Sequence, residues 1–192
     1  MPPRSALLVI DMQNAVVAMA HRAAETVAAI AGLSRRARSA GVPVVTVRQR
    51  GDDLVPGTGD WRVVSELAPR AGEPVVDKTT PDSFLGTGLD ALLKGLGVSE
   101  VIVTGFATEV CVDTTARQAL SLGYDLVVVA DGHTTSVRTA ADDGDLAPAD
   151  RSVAHYNAIY RTIGWPGRRI RVRAAADVEL AASGGAPGGT SA

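Results

Sequence analysis

The chain has 192 residues, of which 46% are apolar and 21% charged, values ordinary for a single soluble domain large enough for a sheet covered on both faces. Nineteen Lys and Arg against 21 Asp and Glu, with no basic stripe interleaved with aromatics, speak against a nucleic-acid partner. One cysteine permits neither an internal disulfide nor a cysteine-rich zinc site, and no metal or other cofactor is expected.

In chain order, the start leads into an apolar run of five residues, 6–10 (Ala-Leu-Leu-Val-Ile). That is too short for a secretion signal or membrane span, but it fits a strand buried on both faces. A cytoplasmic, reducing location is expected, without a membrane partner. An Ala-rich helix spans roughly 20–40 and ends in Arg35, Arg36 and Arg38 before Gly41, a stop signal. Residues 42–47 form the second strand. Residues 49–70, with three glycines and two prolines, form an irregular, site-building loop. A short third strand covers 74–77, and helical spacing returns over 89–96. The fourth strand, 100–104, stops at Gly105, and a helix follows over 108–122. A fifth strand at 125–130 and a helix at 148–163 precede 168–173, where basic and apolar residues alternate as on a polar edge strand. The Gly/Ser/Pro-rich residues 183–192 read as a disordered tail after a single domain, 1–182.

Alternating strands and helices predict an α/β fold with a mainly parallel sheet of about six strands between two helical layers. Sites in such sheets form beyond the carboxyl ends of the strands, and three reactive side chains fall there. Asp11 follows the first strand, Lys78 the third, and Cys111 lies in the segment after the fourth. A carboxylate can take a thiol proton, an ammonium can hold both groups, and a thiolate can attack an acyl carbon. At the start of a helix, Cys111 is also expected to gain thiolate character from the helix dipole. Taken singly, each residue has a bland reading: a buried filler, a turn residue, a solvated charge. Their coincidence at one rim favours catalysis.

Two other constellations compete. Cys111 and Arg117 have the spacing of a phosphatase loop, but the intervening Val-Asp-Thr-Thr-Ala lacks glycine and carries a carboxylate where the anion would sit, so Arg117 reads as a surface ion-pairing residue. A Cys–His dyad could draw on His133, at the same rim, or on His155, which reads as a packed, hydrogen-bonded helix residue. Gln13, Trp61, Phe84, Thr108 and His133 occupy positions that could shape a substrate pocket.

Four ordered motifs carry a resemblance: Leu-Val-Ile-Asp-Met-Gln-Asn (8–14), Lys78 followed by Asp-Ser-Phe-Leu-Gly-Thr-Gly-Leu (82–89), Val-Thr-Gly-Phe-Ala-Thr-Glu-Val-Cys-Val (103–112) with Thr115 and Arg117, and Gly-Tyr-Asp-Leu-Val-Val-Val-Ala-Asp (123–131). Over about residues 5–165 the chain resembles the isochorismatase-like cysteine hydrolases. That resemblance implies a three-layer, Rossmann-like α/β/α fold and a triad of Asp11, Lys78 and Cys111. It also implies a cis peptide between Phe106 and Ala107, with the Ala107 and Cys111 N–H groups as an oxyanion hole. Residues 49–77 contain no histidine, unlike the metal-binding segment of nicotinamidases. Cys111 favours the branch that cleaves small amide, ureide, carbamoyl or lactam substrates through a thioester. The alternatives are vinyl ether hydrolysis of the isochorismatase type, a nicotinamidase, or a catalytically silent subunit. The resemblance also implies a homodimer or homotetramer.

Overall fold

The computed structural model describes residues 4–137 and 147–180. The proposed tail at 183–192 lies outside the described residues. Strand β1 (Ser5–Ile10) is buried along its whole length, as its unbroken apolar run requires. It lies between β2 (Val44–Gln49) and β4 (Glu100–Phe106), with β3 (Val75–Lys78) outside β2, and β5 (Asp125–Thr134) then β6 (Ile170–Arg173) outside β4. All five strand pairings are parallel, and the register places Leu8 between Val45 and Val103.

Period-two alternation divides the strands between two cores. Ala6, Leu8, Ile10, Val45, Val103 and Val128 meet α3 (Leu89–Gly95), α4 (Asp113–Ser121) and α5 (Ala149–Thr162). On the opposite face, Leu7, Val9, Ile102, Val127 and Val129 meet Val27, Ile30, Leu33 and Ala37 of the long helix α2 (Ala23–Ser39). The result is the expected three-layer α/β/α arrangement. The Arg-rich strand β6 occupies an edge, where its polar alternate side chains reach solvent. Among the described residues, no helix is long and apolar enough to cross a membrane.

Several local features at the carboxyl rim differ from the sequence reading; β2, for one, ends at Gln49, two residues past the expected 47. A short helix, α1 (Asn14–Ala18), begins four residues after the end of β1. Strand β4 runs two residues past the expected end at 104, reaching Phe106. Strand β5 extends to Thr134 through a bulge: Val103 pairs with Val128, but Gly105 pairs with His133. The turn-forming Asp131 and Gly132 disguise that extension in the sequence. A Cβ on Gly132 would stand 2.7 Å from Val129 Cγ1, so the bulge requires glycine there.

Candidate active site

Asp11 is the first residue beyond β1 and adopts a left-handed φ of 53°, a conformation aspartate tolerates better than most side chains. Its N–H donates to Val47 O at 2.9 Å, which fixes it beside the end of β2. Lys78, the last residue of β3, turns its side chain inward. Its Nζ lies 2.7 Å from Asp11 Oδ2 and 3.4 Å from Cys111 Sγ, and donates to Gln49 Oε1 at 2.7 Å and Thr80 O at 3.1 Å. Asp11 and Lys78 are 2% and 1% exposed, so this pair is screened from water, whereas Cys111 is partly exposed above it. The second carboxylate oxygen, Asp11 Oδ1, is buried without a hydrogen-bond partner.

The turn that delivers Cys111 begins at Gly105, with φ of 122°. A Cβ there would stand 2.0 Å from Ile10 O, so only glycine lets β4 close against the end of β1. The Phe106–Ala107 peptide is cis. A π-helical turn, Thr108–Val112, follows, and Val112 N donates back five residues to Ala107 O at 3.1 Å. Among the described residues the Ala107 N–H meets no acceptor, which leaves a donor beside the thiol-bearing turn.

The electrostatics correct one expectation. Cys111 does not gain thiolate character: burial first, then the negative charge of Asp11, push the thiol up to about 11, with Lys78 opposing. Burial also raises the Asp11 carboxyl above its ordinary value, again against the pull of Lys78. Desolvation and the neighbouring carboxylate both disfavour the thiolate, and neither is visible from a helix start alone. The resting site is an ion pair beside a neutral thiol.

The isochorismatase domain matches residues 5–154. The chain belongs to the isochorismatase family. It is 41% identical to a streptothricin hydrolase of Streptomyces noursei over 154 residues, 77% of this chain and 56% of that protein. It therefore spans little more than half the length of that relative. Among solved structures, an isochorismatase from Pseudomonas putida KT2440 superposes with a TM-score of 0.81 at 28% identity, covering 93% of this chain and 94% of that one. N-carbamoylsarcosine amidase from Thermoplasma acidophilum gives 0.72 at 27% identity, covering 92% and 99%.

The residues read as pocket-shaping all have protein partners, and one of them, His133, also lines a cavity. Gln13 is fully buried, and its amide is engaged by backbone: Nε2 donates to Gln49 O at 2.9 Å and Trp61 O at 3.0 Å, and Oε1 accepts from Gln49 N at 2.9 Å. Phe84 stacks on Tyr124 with centroids 6.1 Å apart and belongs to the core. The Trp61 ring lies 3.9 Å from Arg48 Cζ, and Arg48 pairs with Asp77 at 2.7 Å, which braces the 49–70 loop against β2 and β3. Thr108 and His133 are buried and bonded to each other at 2.9 Å. His155 is exposed, edge-on to Tyr156, because the apolar face of α5 points Tyr160 and Asn157 inward instead. Arg117 pairs with Asp113 at 2.9 Å on α4, as its ion-pairing reading anticipated.

Gln49 is the site residue missing from the sequence reading. It ends β2 and holds Lys78; the second strand read as 42–47 points the strand-end rule at Arg48 instead, because β2 runs two residues further than its apolar run. A cavity of about 510 Å³ opens between the long helix and α5, lined by His21, Arg22, Glu25, Asp131 and Asp150 among others. None of Asp11, Lys78 or Cys111 lines it.

Proposed function

We propose that this isochorismatase-family chain is a cysteine-dependent hydrolase that cleaves the C–N bond of a small amide, ureide, carbamoyl or lactam substrate. The observation that carries this reading is the buried Lys78 ammonium, which touches both Asp11 and Cys111 while one Asp11 oxygen stays free. The names of two relatives, streptothricin hydrolase and N-carbamoylsarcosine amidase, point the same way.

A thiol held near 11 is almost wholly protonated at neutral pH, so attack and proton removal must be coupled. Asp11 Oδ1 takes the proton as Sγ bonds to the substrate carbonyl carbon. A thiolate of such high pKa is also a strong nucleophile once formed. The carbonyl oxygen becomes an oxyanion held by the Ala107 and Cys111 N–H groups, each such donor being worth about 2.7–4 kcal/mol. Asp11 returns the proton to the nitrogen, the C–N bond breaks, and an acyl thioester remains on Cys111. Asp11 then deprotonates a water, whose oxygen displaces sulfur and releases the acid, and the thiol is restored. Lys78 holds carboxylate and sulfur in place through both halves.

The test is ammonia or amine release across ureides, carboxamides and lactam antibiotics, with isochorismate as a vinyl ether control. Turnover on a C–N substrate is expected, and Cys111→Ala should reduce it by on the order of 10⁴-fold or more with melting little changed. Retention of more than a few per cent of activity by Cys111→Ala would remove sulfur from the mechanism.

A further inference from the structure

His133 is a buried imidazole that the reaction above leaves unused. The β5 bulge sets its backbone beside Gly105, immediately before the Phe106–Ala107 peptide. Its side chain reaches the residue just after that peptide, with Nδ1 2.9 Å from Thr108 Oγ1. One residue thus brackets the segment carrying the Ala107 N–H from both sides. The other ring nitrogen, Nε2, lies 3.2 Å from Asn157 Oδ1. Asn157 Nδ2 donates to Ala130 O at 3.0 Å, which fixes the amide so that its oxygen faces the ring. Nε2 must therefore carry the proton, and Nδ1 must accept from the Thr108 hydroxyl. His133, Thr108 and Asn157 are all buried, and His133 and Asn157 form part of the wall of the cavity of about 510 Å³.

We propose that His133 is a positioning residue: held by Asn157 in a single tautomer, it anchors the Thr108 hydroxyl and thereby aims the Ala107 N–H at the developing oxyanion. The proposal rests on the cysteine-hydrolase reading. It differs from a plain packing role because it predicts damage to acyl transfer, not to the thiol itself.

Two reagents separate these. Acylation of Cys111 by p-nitrophenyl acetate passes through a tetrahedral oxyanion, whereas alkylation by iodoacetamide is displacement at a saturated carbon and needs no oxyanion donor. In His133→Gln the amide sits near the former Nε2 position, keeping Asn157 but losing the acceptor for Thr108. In His133→Asn an amide oxygen can sit near the former Nδ1 position and keep that acceptor. The nitrophenolate burst should slow roughly tenfold or more in His133→Gln and in Thr108→Val, with the ester concentration giving half-maximal rate unchanged. It should stay within about threefold of wild type in His133→Asn and Thr108→Ser, and iodoacetamide should alkylate all four variants at the wild-type rate. An unchanged burst in His133→Gln or Thr108→Val would overturn the assignment. So would a parallel loss of acylation and alkylation, which would mean that the variants displace Cys111 itself. Wild-type protein that is alkylated at Cys111 but never acylated would reject the hydrolase reading, and this role with it.

Discussion

At the amino end of the sheet, Glu100 is as deeply buried as Asp11, yet both of its carboxylate oxygens are occupied: Ser5 donates to Oε1 at 2.8 Å and Arg171 pairs with Oε2. Arg171 reaches it from β6 across β5, so the pair ties the edge strand to the sheet centre. At the carboxyl end, Lys78 pairs with one Asp11 oxygen, the other has no hydrogen-bond partner, and the Cys111 thiol is close enough to feel the carboxylate charge. Two buried carboxylates on neighbouring central strands therefore do opposite things. One is saturated and holds strands together; the other is kept one hydrogen bond short, the condition a base needs.

Substitutions at the two ends should separate these roles. The largest effect is expected from Asp11→Asn, which keeps the shape but removes the proposed base, and turnover should fall by roughly 10²–10⁴-fold. Steady-state rates of amine release measure this, and a loss of less than about tenfold would break the contrast with Glu100. Next is Lys78→Met. It strands the Asp11 charge away from water, and urea unfolding should show a loss of about 3–5 kcal/mol. An unchanged unfolding midpoint would mean that the ion pair contributes nothing to tying the end of β3, across β2, to the end of β1. Glu100→Gln should have the smallest effect: about 1–3 kcal/mol of stability, with kcat within about twofold of wild type. A fall in kcat beyond that would show that the two ends are coupled after all.

The strands and the three reactive residues were legible in the sequence because each leaves a local mark. A parallel strand buried on both faces reads as an unbroken apolar run, and the residue ending that run sits on the rim whatever the tertiary details. Asp11 and Lys78 fall at strand ends by that rule, whereas Cys111 lies five residues beyond β4 and stands out as the one cysteine of the chain. Partner choice was not legible. Gln13, Phe84 and His133 carry side chains suited to contact with a ligand, and only the folded chain shows that backbone amides, Tyr124 and Thr108 already occupy them. The β5 bulge was hidden for a related reason: Asp131 and Gly132 are turn residues locally, but the ladder to β4 resumes beyond them. The thiol was misjudged because a dipole can be inferred from a helix start, whereas desolvation and a carboxylate eleven residues into the chain require the fold.

The central claim is that Asp11 and Cys111 contend for a single proton, and titration of the thiol tests it most directly. Thiolate absorbance near 240 nm, or the rate of iodoacetamide alkylation, would be followed against pH in wild type and Asp11→Asn. In wild type the midpoint should lie near 11, because burial and the Asp11 charge both disfavour the thiolate. Removing that charge removes one of the causes, so the midpoint in Asp11→Asn should fall, and alkylation at neutral pH should speed up by about tenfold for each unit of fall. A wild-type thiol titrating at or below the ordinary value of about 8.5, unmoved by Asp11→Asn, would contradict the account.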